Sequence, residues 1–245
     1  SFDSNGFTVG NTSYANRNNG TYVAWNWKAN GGTTSTISVG DVSSGVPSIA
    51  STVQANTTAG FSIVTFTGND VNNSTIGHGL GTTPAMILTK NRDDDTVGGV
   101  NVHWRVWHQD LTDTYIEFLS RNLYQVAPSG HSNGYIHDVT STTYKTTDAN
   151  VDSNAVNGDG DKMISYCFAE VEGYSKFGSY NGNGAADGAF VFTGFRPAWI
   201  MVKRIDSDNN WVINDTTRSP FNEITGGSST LYADTTNKES DLSTD

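Results

Sequence analysis

The chain lacks several features that mark common classes of protein. It has a single cysteine, Cys167, so no disulfide can form within the chain and a cysteine-based zinc site is excluded. Only 14 of its 245 residues are Lys or Arg, and the net charge of −11 argues against nucleic acid as a partner, because nucleic-acid binding needs a basic surface. No run approaches the length of about 18 apolar residues that crosses a bilayer, so we expect no membrane insertion.

Residue types that favour helices are also scarce, since only five of the 25 acidic residues are Glu. The commonest residues are 31 Thr, 26 Gly, 25 Asn and 25 Ser. Thr and aromatic residues favour strands, while Gly and Asn favour the turns between them. Six Trp and an aromatic content of 11% are too high for a disordered chain. The composition therefore predicts a folded all-β protein.

Short apolar runs bounded by Gly, Asn and Asp clusters recur along the chain, which is typical of a sandwich or barrel. We predict an antiparallel β-sandwich of jelly-roll or concanavalin-like type, built from two related units. Residues 110–122 also fit a helix, but their apolar residues alternate and we predict a strand there. The predicted strands are residues 21–27, 61–66, 85–90, 102–107, 115–119, 163–168, 189–193, 199–203 and 211–213.

The second half of the chain repeats part of the first. The matching segments are residues 18–27 with 157–168, 63–69 with 177–183, and 81–90 with 194–203. In this alignment Trp25 corresponds to Tyr166, and Trp27 corresponds to Phe168. We therefore expect Val23, Trp25 and Trp27 to face a core, as Ile164, Tyr166 and Phe168 do in the other copy.

The order of the repeated segments predicts four parts of the chain. Residues 1–30 are the closing strands of a repeat, 31–59 a linker or insertion, 60–173 a complete β-sandwich repeat, and 174–245 the opening part of a second repeat. A sandwich without its closing strands exposes strand edges that recruit other chains. We expect residues 1–30 to complete a sandwich begun by a segment of the 174–245 type, within one chain or between chains.

Candidate ligand-binding residues lie on the predicted strand 102–107. His103, Arg105 and Trp107 alternate with a face that carries two valines. If the valine face is core, the other face presents a His, an Arg and an indole outward, as in sugar-stacking or partner surfaces. A half-buried interface pair is the alternative interpretation of the same pattern.

Other polar groupings favour structural roles. Glu170 and Glu172 share a strand face, as a glycosidase pair does, but Lys176 nearby predicts a paired or solvated role. Residues 152–161 are rich in oxygen ligands, yet they lack the bidentate Glu of an EF-hand loop and precede a strand, which favours a turn over a calcium site. His78 lies in a glycine-rich loop whose His is not repeated in the second unit. We predict no catalytic residue, no metal and no cofactor.

Six segments carry a resemblance to a known family. They are residues 6–10 (GFTVG), 22–29 (YVAWNWKA), 60–64 (GFSIV), 76–81 (IGHGLG) with Pro84, 166–178 (YCFAEVEGYSKFG) and 195–204 (FRPAWIMVKR). Together they resemble a domain of unknown function found in structural proteins of marine and cyanobacterial tailed phages. The resemblance implies a virion protein of β-sandwich character, and it brings no catalytic residues with it.

Three functions are weighed on these grounds. The first is a non-enzymatic structural protein of a phage virion, in a tail fibre, a tail-associated appendage or a capsid-surface layer, with copies of itself and other virion proteins as partners. The second is a carbohydrate-binding module that attaches to a host-surface glycan. The third is a polysaccharide-degrading enzyme, which lacks a nucleophile-base or paired-carboxylate signature in the sequence. We expect the first, on the outside of the particle, and leave the second open beside it.

Overall fold

Seventeen β-strands and no helix make up the regular structure of the described residues. The fold is a computed structural model that describes residues 1–10, 15–20, 22, 24–41, 46–93, 96–97, 100–101, 103–111, 116–118, 134–147, 155–185, 187–218 and 230–235. The strands are β1 (Phe2–Asp3), β2 (Gly6–Phe7), β3 (Ser35–Ile37), β4 (Ser51–Asn56), β5 (Phe61–Thr67), β6 (Ser74–Gly77), β7 (Met86–Asn91), β8 (Thr96–Val97), β9 (Val100–Asn101), β10 (Trp104–His108), β11 (Ile116–Phe118), β12 (Ile136–His137), β13 (Thr143–Thr146), β14 (Lys162–Phe168), β15 (Trp199–Val202), β16 (Val212–Asp215) and β17 (Leu231–Tyr232).

A seven-stranded antiparallel sheet, the main sheet, forms the centre of the molecule. Its strand order is β11-β10-β7-β14-β5-β4-β3, so β14 lies in the middle. Two three-stranded antiparallel sheets have the orders β12-β13-β6 and β15-β16-β17, and two short hairpins are formed by β1 with β2 and by β8 with β9. The predicted all-β fold with antiparallel pairing is confirmed.

The first hydrophobic core lies between the main sheet and the sheet of β6, β12 and β13. Val64 and Met163 contribute to it from the main sheet, and Ile76 and Tyr144 from the smaller sheet; all four side chains are fully buried. Burying a side chain of this size stabilises the fold by about 1.5–3 kcal/mol. Two sheets packed face to face on such a core form a β-sandwich.

A second core covers the opposite face of the main sheet. Leu88 and Val106 of the main sheet pack there with Met201, Trp211 and other residues of the segment 177–233. The central strands of the main sheet are therefore buried on both faces. This explains why the first half of β7, Met86 to Leu88, is continuously apolar rather than alternating.

The sheet of β15, β16 and β17 reproduces the arrangement of β7, β10 and β11. Both sets are antiparallel, and β16 lies between β15 and β17 as β10 lies between β7 and β11. Leu88 is paired with Val106 in the first set, and Met201 is paired with Ile213 in the second. The repeat that the sequence indicates between these segments is therefore present in the strand pairing.

Residues 31–59 are not a linker or an insertion, because they contain two strands of the main sheet. β4 pairs with β5 along its whole length and places Val53, 4% exposed, opposite Val64 in the first core. β3 then pairs with β4 at the edge of the sheet. The linker prediction rests on the absence of aromatic residues from this segment. Its Ser, Thr and Val residues nevertheless suit a strand, whose core contacts come from its neighbours.

Two predicted strands are not strands in the structure. Tyr22 and residues 24–27 are in no strand, and the indoles of Trp25 and Trp27 are 40% and 41% exposed instead of facing a core; Val23 lies outside the described residues. Residues 189–193 are also outside any strand. Both segments have strand-forming sequences, but a strand forms only where a neighbouring edge supplies hydrogen-bond partners. Residues 116–118 form a strand, as predicted, rather than a helix.

The prediction that Tyr166 and Phe168 face a core is confirmed, but the other face of β14 is buried more deeply. Met163 and Cys167 are fully buried in the first core, whereas the predicted core residues Ile164, Tyr166 and Phe168 are half-buried on the side of the second core. Alternation along a strand separates its two faces but does not show which face is buried more deeply when both are covered.

The first core also encloses hydroxyl groups that satisfy one another. The Tyr144 hydroxyl donates to the Ser165 Oγ at 2.8 Å, and the Thr89 and Ser165 hydroxyl oxygens lie 2.7 Å apart. All three side chains are fully buried. Buried polar groups stabilise a core only when they are paired, and this pairing joins β7 and β14 to the sheet above them.

His78 is a buried histidine that the fold holds neutral. Its ring is fully buried, Nδ1 accepts a hydrogen bond from the Leu80 N–H at 3.3 Å, and Nε2 lies 3.2 Å from the Thr140 carbonyl oxygen. Nε2 therefore carries the proton and donates a hydrogen bond to that carbonyl. Burial lowers the pKa of His78 to about 4, against a smaller opposing effect of the Thr140 carbonyl.

We predict that His78 makes the folded protein less stable in acid. In the unfolded chain a histidine binds its proton near pH 6.5, whereas the folded chain binds it only near pH 4. Between these values the unfolded state binds more protons, so the free energy of unfolding falls as the pH falls, by about 3 kcal/mol over the window. Urea unfolding at pH 7 and pH 4.5 measures the decline. In His78→Gln it should be smaller, and an equal decline in both proteins would contradict the prediction.

We predict that the Cys167 thiol does not react in the native protein. It is fully buried, and burial raises the pKa of the thiol to about 12. Because the thiolate is the reactive form, a disulfide reagent should label the native protein very slowly. The same protein in guanidinium chloride should give one equivalent of label. Rapid stoichiometric labelling without denaturant would show that the core around β14 opens readily.

Candidate functional site

A cluster of aromatic side chains extends from the second core to the protein surface. The Trp27 ring lies 6.0 Å from Trp199 and 5.8 Å from Phe168, measured between ring centroids, with edge-to-face geometry in both pairs. The Trp25 ring lies 6.2 Å from Trp199, and Phe61 lies 4.9 Å from Phe168. We call these five residues the aromatic cluster.

Strand pairing positions the inner part of the cluster. Phe61 begins β5 and Phe168 ends β14, and the two residues are direct partners in the ladder, so their side chains lie on the same face. Trp199 is the first residue of β15. The backbone beside Trp27 is tied to the end of β4, because the Asn56 side-chain amide donates to the Lys28 carbonyl at 2.9 Å.

The outer part of the cluster is open to solvent. Phe61 is buried, but Trp25 and Trp27 keep two-fifths of their surface exposed although both touch Trp199. Aromatic pairs of this geometry are worth about 0.5–1.5 kcal/mol beyond their buried area. Large aromatic residues, with an apolar body and an N–H at the rim, are the side chains most enriched in protein interfaces. The surface has the composition of a contact surface.

A second exposed apolar stretch lies just before β15. Phe190 is 90% exposed and Phe192 is 77% exposed, with Val191 between them also exposed. Soluble monomers seldom leave consecutive large apolar residues in water, and such groups mark interaction sites. Other exposed apolar residues of the described chain include Phe2, 99% exposed, and its strand partner Phe7.

The three predicted ligand-binding residues do not form a shared outer surface. Arg105 is only 3% exposed, and its guanidinium carbon lies 5.2 Å from the ring centroid of the buried Tyr135. Trp107 packs against the first core, and His103, just before β10, is partly exposed. The prediction of an outward face is wrong for Arg105, since the smaller sheet covers the face of β10 opposite Val106.

Glu170 has the paired role that the sequence predicts. Its carboxylate lies 2.7 Å from the Lys176 ammonium and accepts the Phe177 backbone N–H at 3.1 Å and the Gln109 side-chain amide at 3.3 Å. Burial raises the pKa of this carboxyl, but the hydrogen bonds from Lys176 and Phe177 outweigh it, and the pKa lies below its usual value. A general acid of a glycosidase needs the opposite shift.

The oxygen-rich segment before β14 forms a turn over the part that the structure describes. Asp152 and Asn154 lie outside the described residues. Asn157 is fully buried, and its side chain bonds both the backbone N–H and the side-chain oxygen of Asn69 at 3.1 Å. Asp161 accepts a hydrogen bond from the asparagine that ends β7, at 2.7 Å. These oxygen atoms hold the turn together, as the sequence predicts.

Metal-binding clusters and membrane-spanning helices are both absent from the described residues. In them, no group of three or more His, Cys, Asp or Glu side chains is placed to bind a metal ion. They also contain no helix that is long and apolar enough to cross a membrane.

The sequence does not single out Trp199 or Phe61 as site residues. The spacing of Trp25 and Trp27, two residues apart, is the one signal that an aromatic surface exists here, but the same spacing predicts a core-facing strand. The partners of the two indoles come from β5, β14 and β15, which are far apart in the sequence. Only the packing of the second core brings these residues together.

Comparisons with known proteins assign the family. No curated protein and no solved structure matches the chain. A family model described as "Domain of unknown function (DUF7483)" matches residues 1–245. The match spans the whole chain, and the chain therefore belongs to the DUF7483 family.

Proposed function

We propose that the protein is a non-enzymatic structural subunit of a phage virion, in a tail fibre, a tail-associated appendage or a capsid-surface layer. Its partners are copies of itself and other virion proteins, and its place is the outside of the particle. The observation that carries the structural role is the exposure of large apolar side chains at two places, the indoles of Trp25 and Trp27 and the stretch 190–192. The resemblance of the sequence to phage structural proteins supports the setting.

The exposed surface favours assembly because of its cost in water. Leaving a large aromatic side chain exposed forgoes about 1.5–3 kcal/mol relative to burying it. The side chains of Phe190 and Phe192 are mostly exposed to solvent, whereas the central strands of the main sheet are covered on both faces. A subunit of a particle covers such residues with its neighbours, and the gain on burial then drives assembly.

The polar residues of the described chain are in keeping with this role. Glu170, the best sequence candidate for an acid catalyst, is bound to Lys176 and to a backbone N–H, and the pKa of its carboxyl is lowered. His78 and Cys167 are buried in the first core and serve its packing. These arrangements favour a structural protein over a polysaccharide-degrading enzyme.

Sedimentation tests the structural role. The purified chain should show an average mass that rises above 26.3 kDa as the protein concentration increases. In Phe190→Ser/Phe192→Ser the rise should be reduced severalfold, because the substitutions remove apolar surface without touching either core. Val71→Ser, at an exposed valine away from that stretch, is the matched control and should behave as the unaltered chain.

The same samples provide the result that would contradict the proposal. If the unaltered chain remains monomeric at every concentration, and antibodies to it do not label purified particles of the phage that encodes it, the structural role is wrong. Circular dichroism of the variants confirms that the strands are intact.

A carbohydrate-binding module in host recognition is the second candidate, favoured by the two indoles at the surface of the aromatic cluster. Flat aromatic rings stack on the apolar faces of sugar rings, and Trp25 and Trp27 are held in place by Trp199 beneath them. The candidate sugar-binding surface is therefore the aromatic cluster and not the strand that carries Arg105, because the Arg105 side chain is buried.

A glycan array with Trp25→Ala tests this second candidate. Binding to a host-type glycan should occur with the unaltered chain and be lost in Trp25→Ala, because the exposed indole supplies the stacking surface. Tyr174→Ala, at an exposed tyrosine outside the aromatic cluster, is the control and should bind as before. Absence of binding by the unaltered chain, or equal binding by Trp25→Ala, rules the module out.

A further inference from the structure

The sheet of β15, β16 and β17 matches that of β7, β10 and β11 down to single hydrogen bonds. The Gln109 N–H donates to the Ala85 carbonyl at 2.9 Å, just before β7. At the equivalent place before β15, the Thr216 N–H donates to the Ala198 carbonyl, also at 2.9 Å. The two sets of strands are therefore structural copies, and positions transfer from one to the other.

One neighbour is missing from the second set. In the first set, the other edge of β7 is paired with β14 over six residue pairs. In the second set, β15 is an edge strand, since β16 is its one partner in the described part of the chain. Open strand edges expose N–H and C=O groups that pair with an added strand.

The sequence repeat indicates which strand fits this edge. Residues 18–27 match 157–168, which include β14, with Trp27 at the place of Phe168. Phe168 lies opposite Met86 in the ladder, and Met86 corresponds to Trp199. Transferred to β15, this register places residues 24–27 antiparallel to residues 199–202, with Asn26 directly opposite Ile200.

Residues 24–27 of the same chain do not take that position. Both Trp25 and Trp27 touch the one Trp199 ring, whereas the ladder register places only Trp27 opposite it. Trp27 also packs on Phe61 and Phe168, and the next residue, Lys28, is held by the end of β4. These are side-chain contacts with both units, and no described residue forms a ladder with the other edge of β15. A copy that donates residues 24–27 exchanges these contacts with its own chain for the ladder on its neighbour.

We propose that the open edge of β15 binds residues 24–27 of a second copy of this chain as an added antiparallel strand. The inference rests on the proposed structural role and identifies the partner surface for it. The added strand takes the place that β14 has beside β7, with Ala24 to Trp27 opposite Val202 to Trp199. Backbone hydrogen bonds supply affinity, and the indoles supply register.

The contact joins different surfaces of the two copies, so it is head to tail. Each copy offers one donor segment and one acceptor edge, and the edge accepts one strand. Repeated head-to-tail contacts form a ring if the rotation between successive copies closes. Otherwise they extend into a filament. No disulfide is needed, in keeping with the buried Cys167.

Disulfide trapping between two single variants tests the pairing. Asn26→Cys is mixed with Ile200→Cys under mild oxidation, and a linked heterodimer is sought on a non-reducing gel, with mass spectrometry of the joined peptides. Residues directly opposite in an antiparallel ladder lie within the Cα range of about 4.4–6.8 Å that a disulfide spans. Cys167 does not interfere, because it is fully buried.

In the control mixture, Asn26→Cys is combined with Met201→Cys instead of Ile200→Cys. The side chain at position 201 lies on the other face of the strand. The expected result is a heterodimer yield several times that of the control mixture. Equal yields in both mixtures would overturn the proposal. A disulfide within one chain of the double variant Asn26→Cys/Ile200→Cys would also overturn the proposal, because the chain's own segment would then occupy the edge of β15.

Hydrogen exchange of the unaltered chain checks the result without any substitution. Amides of residues 199–202 should become slower to exchange as the protein concentration rises, and unchanged exchange would contradict the proposal. If the chain self-associates in sedimentation but shows neither the cross-link nor the protection, the edge-strand contact is wrong while the structural role stands. If the chain stays monomeric, the edge-strand contact is wrong, and the labelling of phage particles by antibodies then decides the structural role.

Discussion

The ladder that β14 forms with β5 and β7 is the interaction on which the rest of the structure depends. β14 is the middle strand of the main sheet, and residues from both of its faces enter a core. Met163 and Cys167 join the first core, while Phe168 joins the second core and the aromatic cluster. Removing this strand would leave β5 and β7 with open edges and both cores without their centre, because neither neighbour can pair with the other across the gap.

The same constraint explains why the second unit (residues 174–245) differs from the first. Its three strands repeat the order and register of β7, β10 and β11, but nothing in the described chain stands where β14 would stand. The apolar stretch 190–192 of this unit is exposed, with Phe190 90% exposed. The buried polar groups of the first unit contrast with this, since His78, Ser165 and Tyr144 all have partners supplied by neighbouring strands. Part of the exposed apolar surface of the described chain thus lies in the incomplete unit.

Much of the fold was predictable because it follows from local sequence. Alternating or continuous apolar runs between glycine-rich turns predict β5, β7, β10, β14, β15 and β16, and the composition predicts the all-β class. The strands that were missed or wrongly assigned depend on neighbours: β4 is a strand because β5 pairs with it, whereas residues 24–27, with a stronger strand sequence, have no partner edge. For the site, the Trp25 and Trp27 spacing was visible, but it predicted burial. His103, Arg105 and Trp107 were chosen on the premise that one face of β10 is solvated, and that premise fails because both faces are covered.

The amino-acid sequence by itself determines the all-β class, the positions of most central strands, the repeat of residues 81–90 in 194–203 and the absence of a disulfide within the chain. These properties depend on residue type and on spacing along the chain, which are complete in the sequence. Only the tertiary structure decides that the main sheet is buried on both faces, that Arg105 lies over Tyr135, and that Trp25 and Trp27 meet Trp199 at the surface. These outcomes depend on which elements stack on which face, and alternation along one strand carries no information about the layer that covers it.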